Sequence, residues 1–168
     1  MQQARFGHVA WTRNKHIYVI GGTTVDDGKP LANCEVFDAA ANKWIASSFT
    51  MNPALNGASS YDDGTNIYLF GGQDNNDIPS NAIYKINASN PTTMEKLQVS
   101  LKVARVDCFV FKVGNEIVVI GGSKSPLMEV FDASTMQPKT GFEAKSQSFF
   151  NQLSNYTSDV KLENCSTG

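Results

Sequence analysis

Apolar residues along the chain gather in short runs set 50 residues apart. Ile17-Tyr18-Val19-Ile20, Ile67-Tyr68-Leu69-Phe70 and Ile117-Val118-Val119-Ile120 each close on a glycine pair, Gly21-Gly22, Gly71-Gly72 and Gly121-Gly122. Upstream of each run Trp11, Tyr61 and Phe111 share a phase, as do His8, Ala58 and Cys108, and Arg5 returns as Arg105. Self-similarity at a fixed period of this size marks a stacked repeat. In the first unit, Phe6 to Trp11 alternates apolar and small residues as a strand does. A turn at Asn14 and Lys15 leads into Ile17 to Ile20, whose apolar residues are consecutive, the pattern of a strand covered on both faces. Beyond the glycines, a polar loop from Thr23 to Asn33 precedes a third strand, Cys34 to Asp38, and Lys43-Trp44-Ile45 supplies a short outer fourth.

Antiparallel strands buried on both faces require sheets stacked on sheets, and a stack that repeats in this way is what a radial propeller provides. The glycine pairs then have a mechanical role. Without a Cβ they permit positive φ and close backbone approach where the strand exit packs on a neighbouring blade.

The hydrophobic run ending in Gly-Gly, then Glu35-Val36-Phe37-Asp38, then Trp44, resembles the kelch repeat, and Glu129-Val130-Phe131-Asp132 repeats the Glu-led strand in the third unit. The second unit departs from the pattern, with Ile83-Tyr84-Lys85-Ile86-Asn87 in that place and no Trp after it. The third lacks the Trp as well, and Phe142 is a candidate to fill its space. The expected fold is all-β: a partial kelch β-propeller of three four-stranded antiparallel blades, at 1–50, 51–100 and 101–145, with a polar tail or incomplete fourth repeat at 146–168. Three blades do not close a ring, since propellers have about four to eight. Met1 shares the phase of Met51 and Leu101, as if the N-terminus were cut into the array. Further blades are therefore expected from another copy, another chain or a missing segment. In the tail, Phe149, Leu153, Tyr156 and Val160 fall at helical spacing, which leaves a short docking helix open.

Composition narrows the partners. Fourteen Lys and Arg against sixteen Asp and Glu give a net charge of -2, without an electrostatic grip on phosphate backbones, so nucleic acid is not expected. The apolar runs are far too short for a membrane span, which takes about 20 residues. Three widely spaced cysteines, Cys34, Cys108 and Cys165, and a start without a secretory core fit a reducing, cytoplasmic location, although three glycosylation tripeptides, the first at Asn87, argue weakly for secretion.

Catalytic and metal chemistry is not expected. Two histidines and no closely spaced Cys pair do not make a zinc site, and no nucleophile elbow or P-loop is present. His8 reads as a packed or channel-lining residue and Cys108 as a buried structural thiol. The pairs Asp26-Asp27 and Asp62-Asp63 read as turn chemistry. No cofactor is expected.

The kelch resemblance implies a ligand lying across one face of the propeller, met by the loops that enter the first strands and those that follow the glycine pairs. On that basis Arg5 and Arg105 are candidates to pair with an acidic peptide, a carboxylate being matched by guanidinium in bidentate fashion. Thr23, Gln73 and Ser123, each directly after a glycine pair, could hydrogen-bond beside them. The alternative, that the two arginines tie neighbouring strands together, stands equally. The function expected is a non-enzymatic protein-binding scaffold or adaptor, as in ubiquitin-ligase adaptors or cytoskeletal kelch proteins. The alternatives are a structural subunit of a large assembly that covers its open faces, and a kelch-type enzyme resembling galactose oxidase or a sialic-acid epimerase.

Overall fold

A computed structural model describes residues 1–26, 28–123 and 128–141. The tail at 146–168 and Phe142 lie outside the described residues, so the docking helix and the Trp substitute do too. Twelve strands are described: β1 (Phe6–Arg13), β2 (His16–Thr23), β3 (Asn33–Asp38), β4 (Lys43–Thr50), β5 (Asn56–Asp62), β6 (Asn66–Gln73), β7 (Ala82–Asn87), β8 (Met94–Ser100), β9 (Cys108–Val113), β10 (Glu116–Gly121), β11 (Glu129–Asp132) and β12 (Pro138–Lys139). They form three four-stranded antiparallel sheets in the orders β1-β2-β3-β4, β5-β6-β7-β8 and β9-β10-β11-β12. Each sheet is a blade. β1 lies beside β5, and β5 beside β9, so the first strands of the blades line a common inner side.

The local sequence explains the hairpins. Asn14 and Lys15 both take positive φ, 51° and 64°, as a two-residue turn matched to the right-handed strand twist requires. At the ends of the third strands, short polar side chains hold the chain reversal. The Asp38 carboxylate accepts the N–H groups of Ala40 and Ala41, Asn87 those of Ser89 and Asn90, and Asp132 those of Ser134 and Thr135. The pair Asp62-Asp63 works the same way, taking the N–H groups of Gly64, Thr65 and Asn66.

The core lies between blades. Val9, Trp11, Tyr18, Ile20 and Val36 of the first blade pack on Ile67, Leu69, Tyr84 and Ile86 of the second. Trp11 stacks on Tyr18 at 5.0 Å and donates Nε1–H to the carbonyl of Ala88 at 2.9 Å, so its one polar atom is satisfied across the seam. Phe70 and Ile83 of the second blade continue onto Ile117, Val119 and Phe131 of the third. Consecutive apolar positions in β2, β6 and β10 therefore serve two faces.

One detail differs from the expectations and others extend them. β2 and β6 run through their glycine pairs rather than stopping before them, because Gly21 and Gly71 still pair with His8 and Ala58, whereas β10 ends on Gly121, which pairs with Cys108. Trp44, which packs on Phe37 at 5.3 Å, is replaced by Met94 opposite Ile86 and by Pro138 opposite Phe131. His8 is exposed on the inner strand β1, which is compatible with the channel-lining half of the expectation and not with packing, whereas Ala58 and Cys108 in its phase are covered to increasing degree. Met1 is likewise exposed while Met51 and Leu101 are buried, since each of those two lies in the core between successive blades.

Candidate functional site

The starts of β1, β5 and β9 and the ends of β2, β6 and β10 share one end of the blades, and the five candidate binding residues all belong to it. The two arginines do not face solvent there. Arg5 donates to the carbonyls of Gly21 (3.0 Å) and Asn33 (3.1 Å) and pairs with Glu35 at 2.6 Å. Glu35 in turn accepts the N–H groups of Gln2 and Gln3. Arg105 repeats the arrangement: it donates to the Gly121 carbonyl at 2.7 Å and pairs with Glu129 at 3.0 Å, and Glu129 accepts the N–H groups of Lys102 and Val103. Both guanidinium side chains are completely buried. Each cation is thus committed inside its own blade, where it ties the segment entering the first strand to the third strand. Burial alone would raise the Glu35 carboxyl, but the Gln2 N–H and Arg5 outweigh it and hold the group below the usual carboxylate range.

Leu55 and Tyr84 occupy the same two places in the second blade, and both belong to the core between blades one and two. Pro53 stands in the phase of Gln3 and Val103 and has no N–H to offer a carboxylate. Three substitutions therefore go together, and the polar tie becomes an apolar one.

Thr23 is buried as well, its hydroxyl donating to the carbonyl of Lys29 at 2.9 Å. Gln73 is half-buried and donates to Asp77 at 3.2 Å, and Ser123 is exposed. What the rim does expose is apolar: Phe6 at the start of β1, Val25 after the first glycine pair and Ile78 after the second are 52%, 87% and 59% accessible. Phe6 and Val25 border a hollow of about 410 Å³, with Gln2, Gln3, Ala4, the buried Arg5, Thr24 and Asp26 on its remaining sides. Sequence reasoning passed over these three residues. Val25 and Ile78 sit in polar loops outside the repeat register, and only their isolation as large apolar residues among Asp, Asn and Thr marks them.

Cys34 and Cys108 are buried free thiols, and burial pushes both thiols up, away from the reactive thiolate. Ser59 donates to the Cys108 carbonyl across the second seam. Among the described residues no three His, Cys, Asp or Glu side chains gather as a metal ion would require. No helix among them is long and apolar enough to cross a membrane.

With the four-stranded blade, its glycine-ended second strand and its buried Arg-Glu tie in view, one comparison bears on the first blade. The profile of the kelch motif matches residues 4–46, which is the first blade. The first blade carries a kelch motif. No curated protein sequence matches the chain. The second and third blades keep the strand order and glycine register of the first, as blades of a partial β-propeller do.

Proposed function

We propose that this kelch segment is a protein-binding scaffold or adaptor whose client lies across the glycine end of the blades. The observation that carries the reading is the set of exposed apolar side chains on that rim, Phe6, Val25 and Ile78. Large apolar groups standing out of otherwise polar loops are the usual anchors of an interface, and a few such anchors supply most of its binding energy. Gln73 and Ser123 add adaptable hydrogen-bonding groups beside them. Arg5, Arg105 and Thr23 act one step back, holding the segments that carry the rim. A substrate adaptor of a ubiquitin ligase or a cytoskeletal scaffold, working in the cytoplasm, is the form this role takes. The two buried free thiols suit a reducing compartment.

Crosslinking with mass spectrometry in native extract tests the proposal when wild type is compared with a Val25→Asp/Ile78→Asp variant. Client crosslinks are expected at residues 2–6, 24–26 and 74–78, and capture is expected to fall roughly tenfold or more in the variant, the loss of about 1.4 kcal/mol or more. Undiminished capture by a folded variant would overturn it. A second reading, a subunit of a larger assembly, is favoured by one observation, the apolar side chains Phe109, Phe111 and Val113 of the third blade, which no described residue covers.

A further inference from the structure

The two seams between blades are built alike, and the backbone of the third blade is set for another of the same kind. At the first seam the Gly22 N–H donates to the Leu55 carbonyl of the next blade, and at the second the Gly72 N–H donates to the Arg105 carbonyl, at 3.0 and 2.8 Å. Those carbonyls press so closely on the neighbouring glycines that a Cβ on Gly21 would lie 2.5 Å from Leu55 O, and one on Gly71 would lie closer still to Arg105 O. Gly121 has the same left-handed backbone, φ +69° against +64° and +68°, yet among the described residues its missing Cβ would meet no neighbour nearer than the Phe109 ring at 3.9 Å. No described residue takes the place at the third seam that the next blade's carbonyl takes at the first two.

The side chains beside it agree. Val9 and Trp11 are buried by the second blade, whereas Phe109 and Phe111, in the same phase, are 70% and 42% exposed. At the other end, Ile67 is buried against blade one, and its counterpart Ile17 on blade one is exposed. Blade three thus offers the face that a following blade covers, and blade one offers the face that covers a preceding one. Where the inner strands β1 and β5 end, Arg13 pairs with Asp62 at 2.7 Å across the first seam, and their counterparts at the open seam are Val113 and Thr12, which set no charge against another.

We propose that a second copy of this chain covers the face, its blade one docking on blade three as blade two docks on blade one. The Gly122 N–H then meets the partner copy's Arg5 carbonyl. The interface is continuous with one that the chain builds twice within itself, and blade one is the described blade with the complementary face uncovered. Applied twice about a two-fold axis along the channel, the contact closes a ring of six blades, within the propeller range of about four to eight. The inference is independent of whether the rim binds a client.

Sedimentation of the 168-residue chain tests it: a species of twice the 18.3 kDa chain mass is expected. Phe111→Asp on blade three and Ile17→Arg on blade one should each give monomers with the wild-type β-sheet circular dichroism. Mixing the two variants should restore a dimer, because one of its two seams then pairs two unaltered faces. Three results would overturn the proposal: a monomeric wild type, with Phe111 either protected by residues of its own chain or open; a dimer indifferent to both substitutions; or variants that fail to associate on mixing.

Discussion

The first and third blades bury an arginine against a glutamate where the second buries a leucine near a tyrosine. Fold, register and strand order are the same, so the comparison separates what the position needs from what fills it. The position needs the segment entering the first strand to be fastened to the third strand. Arg5 with Glu35, and Arg105 with Glu129, do this through charge-assisted bonds that also satisfy a glycine carbonyl and two backbone N–H groups. Leu55 and Tyr84 do it by burial in the core, beside a proline that removes one of those N–H groups. A buried ion pair and a well-packed apolar pair are of comparable stability, but half of an ion pair is not, because it strands a charge away from water.

The largest expected effect follows from that asymmetry. Glu129→Leu alone leaves Arg105 buried without its carboxylate and should cost about 3–5 kcal/mol, read from denaturant unfolding. A cost below about 1 kcal/mol would mean that the pair does not fasten the blade. The seams give the next contrast. Gly71→Ala forces a Cβ into the Arg105 carbonyl in addition to its positive φ, whereas Gly121→Ala meets the φ penalty and little else among the described residues. Gly71→Ala should therefore cost about 1–3 kcal/mol more in dilute solution, where two copies do not associate. Equal costs would remove the distinction between a covered and an open seam.

Acid sharpens the comparison further. The Glu35 carboxyl is held below its ordinary value of about 4.3, so its contribution to stability is present above that pH and is lost as pH falls through the lower folded value. Asp132, held at about 2 chiefly by the Ser134 hydroxyl and N–H, loses its contribution between about pH 4 and that value. Thermal midpoints at pH 7 and pH 3 should differ less for an Arg5→Leu/Glu35→Tyr variant than for wild type; an unchanged difference would exclude Glu35 as a cause of acid lability. The smallest effect belongs to Arg13 and Asp62, which pair across the first seam at 2.7 Å but in partial contact with solvent. Arg13→Ala should cost at most about 1 kcal/mol, less at high salt, and a larger loss would give this surface pair a weight that its screening does not allow.

The blades were legible because one mechanical need recurs in each of them. Gly21 and Gly71 mark where a strand passes under a neighbour, Gly121 keeps their register and left-handed backbone, and the runs before the first two mark strands with two covered faces. The partner of Arg5 was not legible, since Glu35 lies 30 residues away and only strand register brings it opposite Val19. Leu55, in the phase of Arg5 and Arg105, is with Tyr84 and Pro53 one member of an exchanged set, and only the strand register brings the three together. Val25 and Ile78 escaped notice because exposure of a loop residue depends on how the loop folds back, which neither periodicity nor charge records.

The most direct test is a double-mutant cycle at the third blade, with Arg105→Leu, Glu129→Tyr and both together, followed by unfolding and by client capture. If the tie is a unit that the second blade has replaced whole, each single variant is less stable than the double. The coupling would reach about 1–3 kcal/mol, and the double would capture client as wild type does. Additive losses together with lost capture would contradict the account and return Arg105 to the binding surface.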